Sequence, residues 1–171
     1  MGEILEHIER RRSIRRYTDE PVSRDDLELL LRAGMAAPSA SNRRPWQFVV
    51  VTEPERLQAL RSRLPFGRFN APAAIVVCGD LRRALPPPVQ SFWAVDCSAA
   101  AENILLAAAG IGLGGVWIGV YPMRPLMSLV AGALGLPRLV RPLAVLWVGH
   151  PDEDRPSVNR YDSERVHWET Y

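Results

Sequence analysis

The chain of 171 residues contains no lysine: all 21 of its basic residues are arginines. That absence excludes Schiff-base chemistry and covalent attachment of pyridoxal phosphate, and it makes every fixed cation a guanidinium. Genome composition suffices as a cause, since arginine replaces lysine on most surfaces. Cysteine is almost as scarce. Cys78 and Cys97 are too few and too far apart for a zinc or redox motif, or for a disulfide framework. The three histidines, His7, His150 and His167, show no metal-ligand spacing, and no GxSxG elbow accompanies them. Apolar runs such as "ILLAAAGIGLGGVWIGV" fall short of the roughly 18 unbroken residues of a membrane span. The opening "MGEILEHIERRR" is charged and amphipathic where a secretory leader needs an apolar core. A soluble cytoplasmic protein with no membrane partner is expected. The formal charge of +2, from 21 basic against 19 acidic residues, lacks the field of a general polyanion binder.

The length suits one domain over residues 1–171, with 151–171 as an extended C-terminal tail. Ile4, Leu5 and Ile8 recur at helical spacing and predict a first helix over the opening ten or so residues. Ser23 with Asp26 three residues later predicts a capped second helix ending near Ala37-Pro38. "PSASNRRP" reads as a loop. "WQFVVVT" has the composition and length of a strand, and Thr52 with Glu55 forms a candidate capping box for a helix running to about Leu64. "AAIVVCG" is a second strand, and the triple proline of "DLRRALPPPVQS" forces an exposed connection. A long helix rich in alanine and leucine follows from about Phe92 to Ile111, then the strand "GVWIGV", the helix "PLMSLVAGAL" and the strand "PLAVLWVGH". The last is apolar throughout, as a central strand covered on both faces should be. The pattern is a single sheet covered by helices, with a polar, aromatic tail that has no core of its own.

"GIGLGG", Gly110 to Gly115, satisfies G-x-G-x-x-G. The dinucleotide fingerprint requires a strand to enter the turn and a helix to leave it, so that the helix N-terminus faces a pyrophosphate. Here a helix enters and a strand leaves. No acidic residue stands between Glu102 and Asp152 to hold a ribose. The glycines are better read as a helix C-terminus packed tightly against a strand.

"RRRSIRRY", Arg10 to Tyr17, places five arginines around one serine. In an extended segment Arg11, Ser13 and Arg15 project to one side. Two guanidinium forks and a hydroxyl suit a phosphate monoester. The same residues could form a solvated basic turn paired with Glu9, Asp19 and Glu20. A nucleic-acid arm is the third possibility, disfavoured by the small net charge and the absence of interleaved aromatic residues. The loop "PSASNRRPWQF" offers small polar side chains and exposed backbone that can bond a heterocycle edge or a ribityl chain.

Four blocks in order, "RRSIRRY", "APSASNRRPWQFVVV", "ENILLAAAGIGLGGVWIG" and "RYDSERVHWETY", give nearly the whole chain a form that resembles the FMN-dependent nitroreductase family. The resemblance implies an α+β fold with a central, mostly antiparallel or mixed sheet flanked by helices. It also implies an intertwined homodimer with two FMN sites at the subunit interface. Arg11, Arg12, Ser13 and Arg15 match the positions that hold the FMN phosphate, which favours the clamp. Pro38, Ser39 and Asn42 match the loop that reaches the flavin and ribityl group from the partner subunit. Trp117, Ile118 and Gly119 match the segment along the isoalloxazine, with the Gly119 backbone N–H facing N5. Arg160 matches the basic tail residue that closes on the phosphate, with Arg155 as a second candidate. Many members place a lysine near flavin N1 and O2; in this chain Arg68 is the candidate substitute, stabilising the negative charge of the reduced ring. The connection "DLRRALPPPVQSF" is short where longer relatives insert helices, which leaves the pocket open or shaped by the partner.

The activity implied is ping-pong transfer of reducing equivalents from NADH or NADPH through FMN to a planar acceptor such as a nitroaromatic or a quinone. The flavin carries the chemistry, so no acid or base side chain is expected to stand out. Two other readings stay open: a flavin-binding carrier or sensor without turnover, and a family branch specialised for one metabolite.

Overall fold

The computed structural model describes residues 2–171. Its four strands are β1 (Trp46–Val51), β2 (Ala73–Asp80), β3 (Gly114–Gly119) and β4 (Val140–Gly149), and five helices surround them: α1 (Glu3–Arg10), α2 (Arg24–Met35), α3 (Pro54–Arg63), α4 (Phe92–Gly110) and α5 (Arg124–Leu134). The sheet order is β1-β2-β4-β3 and every ladder is antiparallel. The α+β expectation holds, and the sheet resolves to the antiparallel alternative. The parallel element is a single bridge between Ser13 and Gly115, where the N-terminal arm touches the outer edge of β3.

Alternation along the two central strands divides the interior in two. Ile75 and Val77 of β2, with Leu146 and Val148 of β4, face Leu30 of α2 and Cys97, Ile104 and Leu105 of α4. Val76 and Cys78, with Val145 and Trp147, face Leu57 and Leu60 of α3 and Leu126 and Val130 of α5. Helices on both faces explain why β2 and β4 read as continuous apolar runs although the sheet is antiparallel. A bulge between Val77 and Cys78 of β2 sits opposite Pro142 of β4, a place where a missing N–H is tolerated. Helix α4 is long and apolar enough to cross a bilayer by length and composition, and it packs Trp93, Cys97, Ala100, Ala101 and Ile104 inside the protein.

Helix starts follow local chemistry, with one correction. Ser23 caps α2 as expected: its Oγ accepts from the Asp26 N–H at 3.0 Å and donates to Asp26 Oδ2 at 2.7 Å. The Thr52–Glu55 capping box does not form. Helix α3 begins at Pro54 with Glu53 in the capping position and no side-chain cap bond. Proline's fixed φ and absent N–H suit the first helical position, which moves the start one residue along. Glu53 instead pairs with Arg56 at 2.8 Å.

The glycines after α4 serve close packing. Gly112 adopts φ +82°, and a Cβ at Gly114 would come within 2.7 Å of Ile14 on the arm. A Cβ at Gly110 would meet the imidazole of His7, whose Nε2 donates to the Leu106 carbonyl at 2.9 Å. The G-x-G-x-x-G spacing thus lets α1 and the arm lie against the α4–β3 junction. Beyond Pro151 the tail is largely exposed: Tyr161 is 75% and Trp168 81% accessible, and a short 3-10 turn at Ser163–Arg165 is its one regular element.

Candidate functional site

The arm from Arg11 to Tyr17 is pinned from both sides. Ile14 N–H donates to the Gly115 carbonyl at 3.0 Å, tying the arm to β3. On the other side Glu153 Oε1 accepts from the backbone N–H groups of Arg15 at 2.5 Å and Arg16 at 3.2 Å, and Asp152 N–H donates to the Arg16 carbonyl at 3.0 Å. Its bonds from the Arg155 side chain and from the arm hold the Glu153 carboxyl at about 2, well below the usual carboxylate value. The arm's charge partners come from distant sequence. Arg11 Nε lies 3.2 Å from Glu102 on α4, and Arg16 pairs with Asp152 at 3.1 Å. Glu9, Asp19 and Glu20 do not pair with these arginines, so a locally neutralised basic turn is not what forms.

Arg11, Arg12 and Arg160 come together. With Ile8, Glu9, Glu102 and Val158 they line a cavity of about 190 Å³. Three arginines from two segments nearly 150 residues apart in sequence line one space together with two acidic residues. Arg12 Nε is the one buried side-chain nitrogen or oxygen left without a hydrogen-bond partner among the described residues. An unpaired buried donor is costly, which marks Arg12 as a side chain whose hydrogen-bonding capacity the folded chain does not use. The volume lies below the roughly 300–1,000 Å³ of sites that take whole drug-sized molecules, so it suits the anionic end of a ligand whose body lies outside. Ser13 and Arg15 do not line this cavity. Arg15 Nη1 donates to the Ser13 carbonyl at 3.3 Å, one step further along the arm. Arg155 is paired with Glu153 at 2.8 Å and lines a neighbouring groove of about 630 Å³ with Arg10, Arg12 and Gly115.

The body of such a ligand has an open sheet edge beside it. In a strand the N–H and C=O of one residue point the same way, and successive residues alternate. Gly115 points away from β4, since its carbonyl accepts from Ile14, whereas Val120 N–H donates to Leu143 on the β4 side. Trp117 and Gly119 therefore also aim their backbone groups off the outer edge. No described strand pairs with that edge beyond Gly115. A Cβ on Gly119 would meet nothing within 4 Å, so the space next to it is open. Ile118 is buried toward α3 and α5, while Trp117 is half-buried toward α4. Gly115 to Gly119 gives about 13 Å of edge at ~3.3 Å per residue.

Arg68 lies apart from the arm arginines and lines two grooves that include no residue of β3. Its Nε donates to the Leu64 carbonyl at 2.6 Å, and the preceding Gly67 packs directly on Ile118. Trp147 fixes this segment from beneath: its indole N–H donates to the Gly67 carbonyl at 2.7 Å. Arg61 lies 5.3 Å over the same indole and donates to the Phe69 and Ala71 carbonyls.

Pro38, Ser39 and Asn42 lie elsewhere in the chain, in a loop against the N-terminal part of α4. Ser41, Asn42 and Arg44 hold left-handed φ values of 50°, 53° and 46°, a conformation costing non-glycine residues roughly 1–2 kcal/mol each. Ser39 Oγ accepts from the Arg44 N–H at 2.9 Å, and Ala40 N–H donates to Asp96 Oδ1 at 2.8 Å. Within one chain the structure does not join this loop to the arginine cavity. Sequence reasoning missed Asp96, Glu102, Trp147 and Glu153. The signal for the first two was there: they are the two acids of an otherwise apolar helix, where a charge must find a partner.

The candidate site thus combines a β-edge with outward backbone groups and a small cavity lined by Arg11, Arg12 and Arg160. The chain matches the nitroreductase family over residues 8–65 and 63–150. An Archaeoglobus fulgidus protein, provisionally named an NADH dehydrogenase/NAD(P)H nitroreductase, is 42% identical over 100% of both chains. The crystal structure of a protein of the same provisional name from Parabacteroides distasonis superposes with a TM-score of 0.93, at 40% identity over 100% of both chains. A Desulfovibrio desulfuricans structure, provisionally titled a nitroreductase in complex with FMN, superposes at 0.83, with 33% identity over 100% of this chain and 99% of the other. The chain belongs to the nitroreductase family.

Proposed function

We propose that the protein is an FMN-dependent oxidoreductase that takes reducing equivalents from NADH or NADPH and passes them, in ping-pong order, to a planar acceptor such as a nitroaromatic or a quinone. The observation that carries this reading is the convergence of Arg11, Arg12 and Arg160 on one small cavity beside the open edge of β3. The unpaired Arg12 Nε fits a phosphate oxygen, and the outward N–H of Gly119 fits a ring nitrogen acceptor. When bound, FMN supplies the hydride and electron chemistry.

The chain's own residues bind and orient. Arg11, Arg12 and Arg160 would hold the phosphate, with Ser13 and Arg15 next along the arm. Trp117, Ile118 and Gly119 would line the ring, with the outward Gly119 N–H as the donor for a ring nitrogen such as N5. Arg68, the residue after Gly67, which packs on Ile118, would supply the positive charge that stabilises a reduced ring. Pro38, Ser39 and Asn42 serve the flavin of the second subunit, which accounts for their separation from the arginines within one chain. The working unit is accordingly an intertwined homodimer. Exposed Ile4, Leu5 and Ile8 of α1, Phe92 and Val95 of α4, and the aromatic residues of the tail supply apolar surface for that contact. Residues 1–171 act as a single FMN-binding domain, with 151–171 as its extended tail. Cys78 and Cys97 are buried, unpaired thiols. Burial pushes Cys78 up to about 12 and raises Cys97 as well. Unreactive free thiols agree with a cytoplasmic location.

The test is the visible spectrum of the purified protein after desalting, with and without added FMN, followed by NAD(P)H oxidation in the presence of a quinone or nitroaromatic. Retained flavin bands and sustained oxidation are expected. A single bleaching without turnover would establish a carrier or sensor instead, and no retained flavin in excess FMN would remove the proposal. Sustained oxidation with only one of many acceptors would point to a branch specialised for one metabolite.

A further inference from the structure

Asp80 and Asp96 are the two buried acidic residues among those described, 5% and 4% exposed. The role of Asp80 is accounted for, because its carboxylate takes two bonds from the Arg82 guanidinium at 2.9 and 2.8 Å. Asp96 forms no ion pair within the described chain. Its contact is the Ala40 N–H, 2.8 Å from Oδ1 and 56 residues away in sequence. A carboxylate is withdrawn from water at considerable cost unless something is gained by holding it there.

What Asp96 holds is the entry to the left-handed stretch. Ala40 opens the turn Ala40–Asn42, and Ser41 and Asn42 follow with positive φ. Such residues persist only where surrounding contacts over-determine them. The bonds from Asn42 N–H to the Ser39 carbonyl and from Arg44 N–H to Ser39 Oγ close the loop on itself. They shape it without placing it. Two side-chain hydrogen bonds tie it to the rest of the fold, the Arg43 guanidinium on the Ala84 carbonyl at 3.2 Å and Asp96 on Ala40. Of these, only Asp96 acts at the turn itself, and it does so from a core helix whose neighbouring residues Trp93, Cys97 and Ala100 are buried.

We propose that Asp96 is a positioning residue: its buried carboxylate fixes the backbone at Ala40, so that Ser39 and Asn42 are presented in one pre-organised geometry to the flavin of the second subunit. The inference rests on the reading above that this loop serves a flavin site across the dimer. Pre-organisation lowers the ordering cost at the moment of binding, so its loss appears as weaker FMN binding with the phosphate clamp intact.

Asp96→Ala and the near-isosteric Asp96→Leu both remove the acceptor, whereas Asp96→Asn keeps a side-chain oxygen for the Ala40 N–H. FMN dissociation constants measured by fluorescence titration of the apoprotein should rise roughly ten- to a hundred-fold in the first two variants. Asp96→Asn should stay within about threefold of wild type. Hydrogen exchange over residues 38–44 should accelerate in the first two and not in the third, with exchange over β2 unchanged in all. Wild-type affinity in Asp96→Leu, or an Asp96→Asn variant as weak as Asp96→Leu, overturns the proposal. Mixed dimers of Asp96→Leu with Arg11→Ala separate this inference from the reading beneath it. If the loop acts across the interface, one site of the mixed dimer carries both defects and the other carries none, so one tight FMN per dimer returns. Weak homodimers whose mixture regains no tight site would overturn the cross-subunit reading of the loop.

Discussion

Arg11→Ala separates the two roles open to the arm, structural charge and ligand clamp. In the free protein Arg11 faces Glu102 at 3.2 Å, with side chains 21% and 48% exposed. Exposed and half-exposed pairs contribute at most about 1 kcal/mol. At roughly 2–4 °C per kcal/mol for a chain of this size, the apoprotein should lose no more than about 4 °C in Tm. A charge-assisted bond to phosphate is a different quantity, about 1.5–3 kcal/mol, so Kd for FMN should rise by roughly ten- to a hundred-fold or slightly more. The assay pairs thermal unfolding of the apoprotein with FMN titration by fluorescence quenching. Glu102→Gln is the control, since it removes the same ion pair and leaves the guanidinium free for phosphate; it should match Arg11→Ala in Tm and retain FMN. Two results would refute the reasoning: an unchanged Kd in Arg11→Ala, or equal loss of FMN in both variants, which would make the ion pair itself the determinant.

Gly114→Ala places a Cβ within 2.7 Å of Ile14, whose own Cβ cannot rotate away, so the arm must shift. A cost of about 1–3 kcal/mol in unfolding free energy is expected, together with weaker FMN binding; full affinity would show that the arm's seat on β3 is irrelevant to the cofactor. Trp147→Phe leaves the Gly67 carbonyl without its donor, for about 1–3 kcal/mol plus the void left by the smaller ring. Its Tm should fall by about 5–10 °C. If Arg68 matters to the ring, the reduction potential of the bound flavin should fall as well. Glu153 titrates at about 2 in the fold and near the ordinary carboxylate value when unfolded. Its stabilising contribution is therefore fully present above the unfolded value and is lost as the pH falls toward 2. Protection factors of the Arg15 and Arg16 amides should be high at neutral pH and fall as the pH approaches 2, whereas Glu153→Ala, which removes the acceptor oxygen, should show low protection already at neutral pH.

Local chemistry was legible wherever a few consecutive residues sufficed to decide the outcome. Ser23 and Asp26 announced their helix start, and the apolar runs of β2 and β4 announced strands covered on both faces. At α3 two local signals competed, and Pro54 overrode the Thr52–Glu55 pattern because a fixed φ outweighs a side-chain cap that has an alternative partner. The glycines of "GIGLGG" could be denied the dinucleotide fingerprint from the order of elements alone, a helix entering and a strand leaving. What they do instead, admitting His7 and Ile14 at close range, depends on segments about a hundred residues away.

The sequence by itself determined that every cation is an arginine, that the arm, the loop at residues 38–44 and the tail are the polar segments, and that a single sheet is covered by helices. Those properties follow from residue type and short-range periodicity. Tertiary structure alone decided which charges meet. Arg11 finds Glu102 in place of its neighbour Glu9, Arg160 returns to Arg12 from the far end of the chain, and Glu153 grips backbone groups at residues 15 and 16. Nor could the order of strands be read along the chain. It is the placement of β3 at the sheet edge, beyond β4, that leaves Gly119 with an outward N–H. Charges and edge donors act over a few ångströms of space, and the chain must fold before residues distant in sequence come that close.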